Sequence, residues 1–304
     1  MPRLVGENSE KFSDHLDEID YVPNNKPMQL WIGTSGYSYP DWVGAFYPAG
    51  MSPQKMFTHY VQRFPLVELN YTFYRPAERT SLLRLAHKAP ENFQFIVKLH
   101  RSLSHEHDLS EARGIREAVD ALQQENRLLA LLCQFPQEFH YTSQNLGRLE
   151  AVADKFPGHT LAVEFRHYSW HVPEVTDWVR QRQLHLVSVD VPNIPSLYPR
   201  QLVLTNQLIY IRLHSRNKNG WYGTDKTRYD YNYSDQELLE WINALTQAVD
   251  KADRALMLFN NCHGSQAALN AQRVQKLLEQ MKTPFEVIPP PECREENQGQ
   301  ALLF

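Results

Sequence analysis

The sequence predicts an α/β protein: a single-domain (β/α)8 TIM-type barrel with a polar N-terminal arm and an extended C-terminal tail. Three observations carry this expectation. Short apolar runs alternate with amphipathic helical stretches, the pattern of parallel strands joined by helical crossovers. Each run ends on polar residues, as strands do when their C-terminal ends line a ligand mouth. The stretch over 29–285 also has about the usual barrel length of ~250 residues. An open doubly wound sheet would show one glycine fingerprint at one switch point, whereas here polar clusters recur at all eight strand exits.

The arm covers residues 1–28 and ends in YVPNNKP. A first strand over 29–32 runs into Gly33-Thr34-Ser35-Gly36-Tyr37. This small-residue turn either cradles a phosphate on backbone N–H groups or simply turns the chain tightly. Ser52 caps a helix over 53–64, with Pro53 at its first position. The second strand, 66–70, turns polar at Glu68 and Asn70, and an aromatic loop containing Tyr74 follows. A helix over 77–87 leads to the third strand, 93–97, with Lys98, His100 and Arg101 at its exit. His105 and His107 in the next loop read as solvated surface residues or as metal ligands. Ile115, Val119 and Leu122 give the apolar stripe of a helix over 111–126.

The fourth apolar run, 128–133, stops at Gln134-Phe135-Pro136, and a helix over 143–156 is ended by Pro157-Gly158. The fifth strand, 160–163, exits into Glu164-Phe165-Arg166-His167 and closes on Trp170. Side chains alternate along a strand, so Glu164 and Arg166 share one face. Taken alone, that pair reads as a structural ion pair; its recurrence at other exits points to a mouth. A helix over 173–182 precedes the sixth strand, 185–189, with Asp190 at its exit. The link over 193–207 shows no clear helix. After the seventh strand, 208–211, Arg212, His214 and Arg216 alternate onto one face. Ser234 caps a strong amphipathic helix with Asp235 and Glu237 in its first turn. The last strand, 255–259, exits into Asn260-Asn261-Cys262-His263-Gly264, and a helix over 265–281 completes the barrel.

Composition bounds the function. The 304 residues are 42% hydrophobic and 22% charged, an ordinary globular balance. A net charge of −4 makes no global case for nucleic acid, so any anion site is a local patch. Cys133, Cys262 and Cys293 form no CxxC pair, which argues against a disulfide framework or a zinc site. No run reaches the ~18 apolar residues of a membrane span, and the N-terminus lacks a signal-peptide core. A cytoplasmic location is the expectation.

The segments GTSGYSYPDWVGAFYP, VELNYTFYR, FIVKLHR, QFP, VEFRHYSW, VDVP, YIRLHSRN and LFNNCHGSQAALNA resemble, in that order, the YecE-like family (domain of unknown function 72). The resemblance runs from Trp31 to Gln280. It implies a TIM-type barrel and carries no established reaction, so the site has to be argued from chemistry.

If the exit residues converge, Lys98, Arg166 and Arg212 make a locally basic mouth, and the substrate is anionic: a phosphate-bearing small molecule or a nucleic-acid end. Glu68, Glu164 and Asp190 are the candidate general bases, and His214 or His100 the proton donor for hydrolysis. Ser35, Asn70, Arg216, Asn260 and Asn261 complete the polar ring, while Tyr37, Tyr74, Trp170 and Trp221 offer stacking surfaces. In this reading Arg212 faces the ligand, so Arg212→Met removes binding and leaves the fold standing. A salt-bridge layer that merely closes the barrel is the structural alternative. No cofactor is required. A divalent metal held by Glu68, Glu164, Asp190 and His214 is a second functional reading, disfavoured by the interleaved cations. A non-catalytic binding or adaptor role is the third.

The tail, 286–304, is proline-led and then polar, which predicts a mobile segment. It ends in Gln300-Ala301-Leu302-Leu303-Phe304. Gln300, Leu302, Leu303 and Phe304 resemble the peptide by which bacterial polymerases and repair factors dock on the β sliding clamp, with alanine at the usual second-position leucine.

Overall fold

The computed structural model describes residues 26–292. Eight parallel strands follow one another around a sheet: β1 (Gln29–Ser35), β2 (Leu66–Leu69), β3 (Gln94–Lys98), β4 (Leu128–Gln134), β5 (Leu161–Glu164), β6 (His185–Asp190), β7 (Leu208–Leu213) and β8 (Arg254–Phe259). Pairing of β1 with both β8 and β2 closes the sheet into the expected barrel. The strands are buried on both faces, which is why they read as continuous apolar runs.

Around them lie α1 (Pro53–Val61), α2 (Arg79–Lys88), α3 (Ala112–Gln124), α4 (Ser143–Ala153), α5 (Pro173–Gln181), the short α6 (Asp225–Arg228), α7 (Asp235–Gln247) and α8 (Gln266–Glu279). Their starts follow local chemistry. Thr142 Oγ1 accepts from the Asn145 amide at the head of α4. Ser234 and Glu237 form a reciprocal capping box on α7. Ile115, Val119 and Leu122 of α3 are buried, as their spacing predicts. None of the described helices is long and apolar enough to cross a membrane.

One expectation changes, that of a free tail, and two open points resolve. Among the described residues no helix joins β6 to β7, as the sequence of that link indicates. That link folds back on β6 instead, with Ser188 Oγ accepting from the Val203 amide and Thr205 Oγ1 from the Leu186 amide. The tail does not begin free at residue 286. A short β9 (Glu286–Val287) pairs with Gln29 and Leu30, ahead of the point where β2 takes up pairing with β1. The glycine turn after β1 does not present a phosphate cradle. The Thr34 amide donates to Tyr60 and the Gly36 amide to the Glu68 carbonyl. Gly33 is required by packing, since a Cβ there would lie 2.6 Å from the Leu66 carbonyl oxygen. Most of the N-terminal arm and the clamp-like peptide Gln300, Leu302, Leu303 and Phe304 lie outside the described residues.

Candidate functional site

Strand register brings a charged layer together at the C-terminal end of the barrel. Tyr210 and Arg212 of β7 and the following His214 form one inward row, and Glu164 ends β5. Arg212 is fully buried. Its Nε donates to Glu68 Oε2 at 2.9 Å and its Nη2 to Glu68 Oε1 at 2.6 Å, a bidentate fork. Nη1 donates to Glu164 Oε2 at 2.5 Å and Nη2 to Ser35 Oγ at 3.3 Å. Tyr210 Oη adds a 2.5 Å hydrogen bond to Glu68 Oε2. Arg166 Nε donates to the other oxygen of Glu164.

A neutral chain completes the layer. Asn70 Nδ2 donates to Asn260 Oδ1 at 3.4 Å, which orients the amide so that Asn260 Nδ2 donates to His214 Nδ1 at 2.9 Å. The His214 proton therefore sits on Nε2, which stands 3.3 Å from Glu164 Oε1. Burial pushes the His214 imidazole down to about 3, with Arg166 adding to the effect. It is uncharged near neutrality. Burial opposes ionisation of Glu164, but the Arg166 and Arg212 guanidinium groups outweigh it and hold the carboxyl well below its usual range. Arg212 is likewise desolvated, yet Glu164 and Glu68 hold it firmly protonated.

Beside this layer opens a cavity of about 520 Å³, whose lining includes Lys98, Gln134, Arg166, His105, Tyr74 and Trp221. Lys98 ends β3 and its Nζ lies 4.2 Å from the Phe73 ring centroid. Among the described residues no carboxylate reaches it within ion-pair distance. Burial pushes the Lys98 amine down to about 7, helped by Arg212 and partly offset by Glu68 and Glu164. His105 packs against the same Phe73 ring, and burial and Lys98 push it down to about 4. Arg166 reaches the same space with its guanidinium carbon 5.8 Å from the Trp221 ring centroid. A smaller cavity of about 360 Å³ lies at the opposite end of the barrel, where Gln94, Leu128 and Arg254 begin their strands, and gathers no comparable set of charges.

The structure gathers Ser35, Glu68, Asn70, Lys98, Glu164, Arg166, Arg212, His214 and Asn260 at the mouth, with Tyr74 on the rim. Glu68, Glu164 and His214 are enclosed and do not line the cavity. Other candidates lie elsewhere. Asp190 is in register with Leu213 and not with Arg212, so it faces outward. There it accepts from Arg216 Nη2 at 2.7 Å and from Trp241 Nε1 at 2.6 Å. The proposed metal set is thereby split, and among the described residues no group of three histidine, cysteine or acidic side chains is placed to hold a metal ion. Trp170 is fully buried, stacked between Phe165 and Phe139 at 4.1 and 5.2 Å, so it is core and not a stacking platform. Tyr37 packs on Phe57 and Tyr60. His100 turns back to Ser102, and Asn261 Nδ2 donates to the Tyr231 carbonyl and to Asn270.

Sequence reasoning missed Tyr210, although it shares strand parity with Arg212 and that signal was available. Gln134, in register with Glu164, was legible only as the end of a strand. Arg228, at the end of the short α6, and Tyr229 lie in the long segment between β7 and α7 and had no periodicity to betray them.

Comparison with known proteins agrees with this architecture. The chain is 29% identical over 271 residues to the UPF0759 protein YunF of Bacillus subtilis (strain 168), covering 82% of this chain and 95% of that one. It superposes on the crystal structure of a DUF72 family protein from Thermotoga maritima MSB8 with a TM-score of 0.77 and 34% identity, covering 83% and 99% of the two chains. A DUF72 family protein from Enterococcus faecalis V583 gives 0.74 at 27% identity, covering 82% and 95%. The model of the family described as "Protein of unknown function DUF72" matches residues 31–295, and the chain belongs to that family.

Proposed function

We propose that the mouth cavity binds an anionic, phosphate-bearing ligand of about nucleotide size. The observation that carries this reading is the surplus of positive charge at its floor. Glu68 and Glu164 are both taken up by Arg212, Glu164 also by Arg166, and Lys98 remains without a carboxylate partner among the described residues. A cation held out of bulk water without a counter-charge is costly, and an anionic ligand removes that cost. The volume of about 520 Å³ falls in the ~300–1,000 Å³ range of small-molecule sites. Tyr74, Trp221, Tyr222 and Tyr229 in the lining suit a planar or sugar ring beside the anion. Should the ligand be hydrolysed, the lining groups able to move a proton include Lys98, His105 and Glu138, whereas Glu68 and Glu164 are engaged within the layer.

Calorimetric titration with pyrophosphate and a set of nucleoside monophosphates tests the reading. Saturable binding that weakens with salt is expected, with about a tenfold loss in Lys98→Met, the size of one charge-assisted hydrogen bond. Absence of saturable binding across the set, or binding indifferent to Lys98→Met, contradicts it.

A further inference from the structure

We propose that Lys98 is a nucleophilic amine that condenses with the carbonyl carbon of an anionic aldehyde or ketone held in the mouth cavity. This rests on the reading of the cavity as an anion site and names the chemistry of its ligand. Lys98 lies among the cavity-lining residues, at the end of a strand in the rigid barrel. Its Nζ is placed against the Phe73 ring and not in an ion pair, so no carboxylate holds it as ammonium. Among the described residues no cysteine or serine lines the cavity, and the primary amine is the strongest nucleophile of that lining. The Cys133 thiol next to the β3 exit is enclosed, and burial pushes it up to about 12, which leaves it protonated and inert.

The charged groups around Lys98 act in a consistent direction. Arg212 from β7 and Arg166 after β5 disfavour the ammonium, and burial does so more strongly, while Glu68 and Glu164 favour it. His105 from the loop after β3 is neutral near pH 7 and adds no charge. With its amine pushed down to about 7, Lys98 is about half unprotonated at neutral pH. A surface lysine offers on the order of one free amine in a few thousand under the same conditions. Arg166 supplies the planar fork that holds the ligand's phosphate or carboxylate in the same space.

The step balances without an external oxidant or reductant. The Lys98 lone pair forms a C–N bond to the carbonyl carbon as the C=O π pair moves to oxygen. The proton lost from nitrogen is taken up by that oxygen. A second protonation then lets the C–O bond break and water leave, as the nitrogen lone pair forms C=N. The resulting iminium draws electrons from the neighbouring carbon, the basis of bond making or breaking beside a carbonyl.

Pyridoxal 5′-phosphate, a phosphate-bearing aldehyde, is the probe. The full-length protein is incubated with it, reduced with borohydride and mapped by peptide mass. Labelling of Lys98 at least tenfold ahead of any other lysine, with a rate profile inflecting near pH 7, is expected. Lys98→Arg keeps the charge and is expected to lose that label while retaining the wild-type circular dichroism. Label confined to surface lysines overturns the proposal. Two further arms separate it from the reading beneath it. Phosphate binding by calorimetry together with an unlabelled Lys98 removes the amine chemistry and leaves the anion site. Equal labelling of Lys98 by pyridoxal and its phosphate, without protection by inorganic phosphate, removes the anion site and leaves a reactive amine.

Discussion

Two arginine–carboxylate clusters flank the C-terminal end of β7, and they differ in sign. Inside the barrel, Arg212 binds Glu68 and Glu164, and Arg166 and Lys98 add further positive charge beside a cavity. On the outer side, Arg216 binds Asp190 and Glu240 and approaches Glu237 at 3.6 Å. That outer group is acid-rich, and neutral donors complete it: Trp241 Nε1 to Asp190, and Tyr231 Oη to Glu237. It ties β6 and β7 to α7 and has no cavity of its own among those described. The same residue types thus serve two purposes. An acid-rich cluster satisfied by protein donors is a joint between strand and helix, while a cation-rich one beside a cavity has room for a ligand's charge.

The largest effect expected from this contrast is on stability. Arg212→Met takes the charge partner from buried Glu68, leaving it the Tyr210 hydroxyl, and leaves Glu164 to Arg166 alone, and should cost about 3–5 kcal/mol in chemical denaturation. This reverses the expectation that Arg212 faces the ligand, because the side chain is enclosed and saturated. Arg216→Met should cost less, roughly 1–3 kcal/mol, since Asp190 keeps the Trp241 donor and Arg216 is partly exposed. Equal losses in the two variants would erase the distinction.

Acid should act next, and through the inner cluster. His214 is held down at about 3, so between there and its ordinary value near 6.5 the unfolded chain binds a proton that the folded one refuses. Glu164, also depressed, contributes stability above its ordinary value that is lost as pH falls through its lower folded value. Unfolding free energy should therefore decline as pH drops below about 6.5. Flattening of that limb in His214→Gln, measured by urea denaturation at successive pH values, is the expected outcome; an unchanged slope assigns the acid sensitivity elsewhere.

Lys98→Met should give the smallest change, and of opposite sign. A lysine depressed to about 7 means the unfolded state binds the extra proton between about 7 and its ordinary 10.5, so its penalty is full below 7 and vanishes above 10.5. The variant should melt roughly 2–4 °C higher at pH 6, corresponding to about 1 kcal/mol after discounting for the open side of the cavity. That gain should shrink toward pH 10. A lower midpoint at pH 6 would mean that Lys98 is held by a counter-charge in the folded protein.

Much of the inner cluster was legible because strand parity is a local property. Glu164 with Arg166, and Arg212 with His214, are two apart, and the extended chain keeps the alternation for the one or two residues past the ends of β5 and β7. Asp190 and Arg216 were misplaced for a physical reason. Which parity points inward at a strand's last residue depends on register with its neighbours, and β7 ends at Leu213, so alternation no longer governs Arg216. The eight strands could be found from apolar runs, but β9 is two residues long and owes its existence to an edge of β1 left open before β2 begins. Trp170 looked like a stacking surface because an aromatic at a strand exit carries no mark of the two rings that enclose it.

The surplus charge at the mouth is tested most directly by titrating the Lys98 side chain itself. Its Nζ resonance can be followed by heteronuclear NMR with and without saturating pyrophosphate, using Lys98→Arg for assignment. The amine is expected to titrate near 7 in the free protein and distinctly higher once an anion pairs with it. An ordinary lysine value in the free protein, or a depressed value that pyrophosphate leaves unmoved, would contradict an anion site at this barrel mouth.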